Sequence, residues 1–91
     1  MEEHRRSHRR RTLKEGKVVL SDRIVIDCLI RDISEAGARL EFGAPMELPA
    51  NFRLLISSLN LLVPVALAWQ HGLSAGVRFT GPGQEARASK F

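Results

Sequence analysis

A chain of 91 residues has room for one small domain with a single core and a thin stability margin. Its 44% hydrophobic and 26% charged residues exclude wholesale disorder, and its longest apolar run, Leu61 to Trp69 with Pro64 inside it, is about half of what a membrane span needs. The formal net charge of +4 lies entirely at the N-terminus: residues 1–17 hold seven basic residues against three acidic ones, and from residue 18 onward seven of each cancel.

The first segment is therefore a basic arm, residues 1–16, suited to meeting an anion. It is charged from Glu2 onward with no apolar stretch behind it, so it does not read as a signal peptide. After the arm the hydrophobic pattern has a period of two, which predicts half-buried strands. Lys17 to Leu20 forms the first. Ile24, Ile26, Cys28 and Ile30 share one face of the second, with Asp27 and Arg31 on the other. Ala38, Leu40 and Phe42 mark the third, and Phe52, Leu54 and Ile56 the fourth. Leu61, Val63, Val65, Leu67 and Trp69 mark the fifth, and Ala75, Val77 and Phe79 the sixth. Turn signals separate them at Ser21-Asp22, Glu35-Ala36-Gly37, Pro45 to Asn51, Ser58-Leu59-Asn60 and His71-Gly72.

Six short strands without a long helical pattern between them predict an all-β fold: a small six-stranded antiparallel β-barrel over residues 17–81, with a flexible basic arm before it. Pro64 implies a sheet edge or a bulge in the fifth strand. Trp69, ending an alternating apolar strand, is expected to plug the barrel. Residues 82–91 are expected to form a tail or a helical turn.

Two local features carry the chemistry. The arm contains Arg-x-x-x-Arg twice, as Arg5/Arg9 and Arg6/Arg10. Guanidinium forks grip phosphate oxygens and pair with the O6/N7 edge of guanine. At the end of the second strand stands Asp32-Ile33-Ser34-Glu35-Ala36-Gly37. Asp and Ser side chains there either shape the turn or face a ligand, and Gly37 permits positive φ or close backbone approach. Each feature alone reads as a solvated tail or a turn.

Together, an Arg-x-x-x-Arg arm followed by Asp-x-Ser-x-x-Gly at the end of a barrel's second strand resembles the PilZ domain family. Gly37-Ala38-Arg39-Leu40 is similar to the family's third strand, Val65 to Trp69 to its penultimate strand and Gly76-Val77-Arg78-Phe79 to its last. The resemblance covers roughly residues 5 to 80. It implies a receptor for the second messenger cyclic di-GMP. In that reading the arginine pair grips phosphate and guanine, Asp32 and Ser34 contact guanine, and Gly37 leaves room at the turn. Apart from the resemblance, Arg39, two residues beyond Gly37 on a polar face, is expected to add a phosphate contact. The overlap leaves Arg5/Arg9 and Arg6/Arg10 both open. Arg6/Arg10 is favoured because Arg5 then precedes the motif, an arrangement that in the family goes with a stacked ligand dimer.

Without ligand the polar, self-repelling arm is expected to be mobile and to fold over the nucleotide on binding, presenting a new surface to a downstream protein partner. No metal is expected, because three dispersed histidines and one cysteine give no ligand spacing. The single Cys28 also excludes an intrachain disulfide and points to the cytoplasm. No nucleophile–base set appears, so an enzyme is not expected. A nucleic-acid binder would want more than four Phe, one Trp and a neutral body. A rival from another class is a nucleotide-independent PilZ-like interaction adaptor, against which the intact motifs argue.

Overall fold

The computed structural model describes residues 10–86, with side chains from residue 14. The described residues form seven strands: β1 (Arg10–Val19), β2 (Val25–Ile33), β3 (Gly37–Glu41), β4 (Asn51–Ile56), β5 (Leu61–His71), β6 (Ser74–Phe79) and β7 (Gln84–Glu85). A 3-10 turn, Ser57–Leu59, joins β4 to β5. The strands are all antiparallel in the order β4-β1-β2-β3-β6-β5, and β4 also pairs with β5, so the first six close into a barrel. Closure removes the free edges that an open sheet would leave unpaired.

Alternation explains what fills the ring. Val18, Ile30, Leu40, Leu54, Val65 and Ala75 point inward and are almost completely buried, joined by Cys28, Phe42, Phe52, Ile56, Val63 and Val77. β1 begins at Arg10, seven residues before the Lys17 expected from the sequence. The apolar period is hidden there because Gly16 takes an inward position with no side chain. A Cβ on Gly16 would stand 2.8 Å from Ile30 Cδ1, so Ile30 occupies the space.

Pro64 sits where β6 has ended. Its carbonyl accepts from Thr80 N at 2.9 Å, and in an antiparallel strand a residue's nitrogen and carbonyl face the same side. The missing N–H therefore faces a local edge rather than an intact ladder.

A second, smaller cluster lies outside the barrel. Val19, Leu55 and Ala86 are buried together, with Val25 and Leu62 packed against them. The covering segment runs through β7, which pairs with the start of β5. Asn60, in the left-handed conformation at φ 53, pins it: Asn60 Nδ2 donates to Ala86 O at 3.0 Å, and Ala86 N donates to Asn60 O at 2.9 Å. Asparagine is among the few side chains that tolerate this backbone. The tail thus forms a short strand, with no helical turn among its described residues; residues 87–91 lie outside them.

Leu54→Ala, which empties a fully buried inward position, is expected to cost about 3 kcal/mol in denaturant unfolding. Burial pushes the Cys28 thiol up from its ordinary 9.0 to about 12. The folded state thus keeps the proton where the unfolded chain loses it. Stability from this source is full below about pH 9 and declines as pH rises towards 12. Cys28→Ala should flatten that alkaline decline in denaturant melts, and native protein at pH 8 should react with a thiol reagent only on unfolding.

Candidate functional site

β-bulges interrupt the alternation at one end of the barrel, and they decide which side chains face out. In β2, Ile30 pairs with Leu40 and Asp32 with Arg39, so Arg31 is the extra residue. Without the bulge Asp32 would share the inward face of Ile30; with it, Arg31 and Asp32 both face outward and Ile33 returns to the core. In β5, Leu67 pairs with Val77 and Trp69 with Gly76, leaving Ala68 unpaired. Trp69 is turned out by the same device.

The expectation that Trp69 plugs the barrel is therefore corrected: its side chain is 46% exposed. Its indole lies on Gly76, where an added Cβ would stand 2.8 Å from Trp69 Cδ1 and closer still to Nε1 and Cε2. Successive register partners Asp32, Arg39, Gly76 and Trp69 form one row across β2, β3, β6 and β5.

The row carries a charge ladder. Arg39 Nη1 stands 3.9 Å from Asp32 Oδ2, and Arg39 Nη2 stands 3.4 Å from Glu41 Oε2. Arg31 Nη1 meets the other Glu41 oxygen at 3.2 Å. Two guanidinium groups and two carboxylates alternate, and all are part-exposed, so each pair contributes at most about 1 kcal/mol. Their larger consequence is to hold Asp32 and Arg39 against each other.

Ser34 builds the turn after β2. Its amide donates to Gly37 O at 2.8 Å, and its hydroxyl accepts from Ala36 N at 3.2 Å and from Gly37 N at 3.4 Å. Phe79 N donates to Ala36 O at 2.8 Å, tying the turn to the end of β6. Gly37 opens β3, and its φ is not in the left-handed region, which among the described glycines only Gly72 occupies. Its constraint is close approach: a Cβ would overlap Val77 O and stand 3.1 Å from Arg78 Cα. That is a reason of packing between strands, complete without any ligand.

Asp32, Ser34, Gly37 and Arg39 line one concavity of about 380 Å³, together with Ala68 and Arg78. The last two carry no signal in the period-two pattern, because Ala68 is the bulge residue and Arg78 reads as an ordinary outward position. A slightly larger concavity, about 420 Å³, lies between β1, β2 and β3 beside Lys17, Asp27 and Phe42, and holds none of the expected ligand residues. Its Lys17–Asp27 ion pair at 2.7 Å raises the lysine pKa through that hydrogen bond.

Arg5, Arg6 and Arg9, and with them most of the arm, lie outside the described residues. Arg10 is the first residue of β1 and stands in register with Ile33, and Arg11 with Asp32. The second member of the Arg6/Arg10 pair therefore belongs to a strand beside the Asp-x-Ser-x-x-Gly turn. Among the described residues no three His, Cys, Asp or Glu side chains cluster as metal ligands do.

Trp69 is the sole tryptophan, so its emission reports this end of the barrel alone. Gly76→Ala, which displaces the indole, is expected to red-shift that emission. Ser34→Ala should lower stability by about 1 kcal/mol through lost turn hydrogen bonds, read in the same denaturant titration.

No curated protein matches the chain. The family model for the PilZ domain matches residues 3–89, nearly its whole length. The chain belongs to the PilZ domain family, whose general role is to bind cyclic di-GMP.

Proposed function

We propose that this protein is a cyclic di-GMP receptor that uses Arg6 and Arg10, with Arg5 and Arg9 beside them, as its phosphate- and guanine-gripping pair, and Asp32, Ser34 and Arg39 as its barrel-side contacts. The observation that carries this reading is the β1–β2 register, in which Arg10 and Arg11 stand opposite Ile33 and Asp32. That register supports the reading by setting Arg10 on the strand beside the turn whose Asp32 and Ser34 line a concavity of about 380 Å³.

The ligand is a dianion bearing two guanines. Asp32 is an acceptor suited to the N–H groups of guanine's Watson–Crick edge, and arginine forks suit its O6/N7 edge and the phosphates. Arg39, shared between Asp32 and Glu41, adds positive charge beside a phosphate oxygen. Gly37 contributes by bringing β3 close to β6. The arm before Arg10 folds over the nucleotide, and barrel, ligand and arm together form the surface that a downstream protein reads. Ordering some ten residues costs on the order of 10 kcal/mol, so several charge-assisted contacts must act together.

Calorimetry with cyclic di-GMP, GTP and a mixed-sequence oligonucleotide at two salt concentrations tests the reading. Cyclic di-GMP should bind, GTP far more weakly, and the oligonucleotide only at low salt. Arg6→Ala and Arg10→Ala should each lose roughly 2 to 4 kcal/mol of binding with the fold retained. Unaltered affinity in both, and in their double mutant, would exclude the arginine pair. Amide exchange separates the switch from mere binding. Because β1 already pairs from Arg10 onward, ligand-induced protection should concentrate before residue 10, and an arm protected without ligand would rule out the ordering step.

A further inference from the structure

Three charged side chains line the concavity beside the Asp-x-Ser-x-x-Gly turn: Asp32, Arg39 and Arg78. The first two are paired with each other, and Arg39 is shared further with Glu41. Arg78 makes no ion pair among the described residues. It stands on β6 between Gly37 of β3 and Ala66 of β5, its register partners on either side. Neither neighbour has a side chain long enough to cover it. Gly37 has none at all, because β3 and β6 approach too closely there for a Cβ. The arrangement leaves an exposed guanidinium on the wall, flanked by two of the smallest residues.

From this geometry we infer that Arg78 is an anion-contacting residue of the site, taking a phosphate oxygen of the bound nucleotide from the barrel side. The inference rests on the cyclic di-GMP reading and adds a residue to it. With the Arg39 and Asp32 charges cancelling, Arg78 supplies the net positive charge of the concavity wall. A phosphate entering there meets a guanidinium that breaks no ion pair among the described residues, whereas recruiting Arg39 means drawing it away from two carboxylates. Close approach at Gly37 thus has a second effect besides packing, because any side chain at that position would crowd Arg78 and the concavity it lines.

The test compares Arg78→Gln with Arg53→Gln, calorimetrically, using cyclic di-GMP. Arg53 is an exposed strand position on β4, outside the concavity, and its loss changes the net charge equally. Arg78→Gln should weaken binding about tenfold or more, as loss of a charged hydrogen bond does, and Arg53→Gln less than about twofold. At 1 M salt, where the Debye length is about 3 Å, a long-range effect disappears but a contact persists. The Arg78→Gln deficit should therefore survive at high salt, and Arg78→Lys should restore part of the affinity. Equal affinities for Arg78→Gln and wild type, with Asp32→Ala still impaired, would overturn the role of Arg78 and leave the receptor reading intact. A wild-type protein that does not bind cyclic di-GMP would overturn both. Equal deficits for Arg78→Gln and Arg53→Gln would reduce Arg78 to general electrostatics and overturn the contact. The Trp69 emission and melting midpoint of each variant confirm that the barrel end is intact.

Discussion

In a strand, side chains alternate strictly between faces, and a closed barrel of six strands makes that alternation binding on the whole molecule. Every inward position must be apolar and every outward one must tolerate water, with no edge where an error can be hidden. The barrel obeys this along most of its length, with Leu54, Leu40 and Val65 inside and Arg53, Glu41 and Ala66 around them. It departs in three places, at Arg31, at Ala68 and in β1 between Arg11 and Lys14. At Arg31 and Ala68, near the turn end of the barrel, the extra residue reverses the facing of its successors in the strand. One turns Asp32 outward, and the other does the same for Trp69. The concavity exists because the rule that builds the core is suspended at these points.

Electrostatics divides the labour in the same way. The barrel side of the site is a nearly neutral ladder of Arg31, Glu41, Arg39 and Asp32, and the excess charge of the chain lies before residue 18. In the proposed receptor, a carboxylate that recognises N–H donors would be a liability towards a phosphate. Holding Arg39 against Asp32 cancels that repulsion without removing the acceptor. Under that proposal, specific recognition resides on the rigid strands and attraction comes from the basic residues that precede them.

The alternating apolar residues make the barrel legible in the sequence, and the strand interiors from residue 17 to 79 fall where that pattern puts them. The first half of β1 is not legible, because Gly16 occupies an inward place without displaying an apolar side chain. Trp69 reads as a plug, wrongly, because a bulge leaves no mark on composition, only a shift of one in facing. Asp32, Ser34, Gly37 and Arg39 stand out in the sequence around one motif, and they do line one concavity. Why Gly37 must be glycine is not legible, since the constraint comes from Val77 and Arg78, some forty residues further on. Arg78 and Ala68 carry no ligand signal of their own, and only three-dimensional closure brings them beside the turn.

The strap formed by β7 and Ala86 has a consequence for how the chain tolerates being altered at its C-terminal side. It roofs Val19, Leu55 and Leu62, which face away from the barrel interior and would otherwise form a contiguous oily patch on the outer wall. The strap is held by two hydrogen bonds to Asn60 and a two-residue ladder, a shallow attachment that a rigid appendage could pry loose. A truncation that removes Ala86, or a bulky insertion beside it, therefore puts solubility at risk before it disturbs the barrel, and keeping this short segment intact protects the handling of the protein as much as its fold.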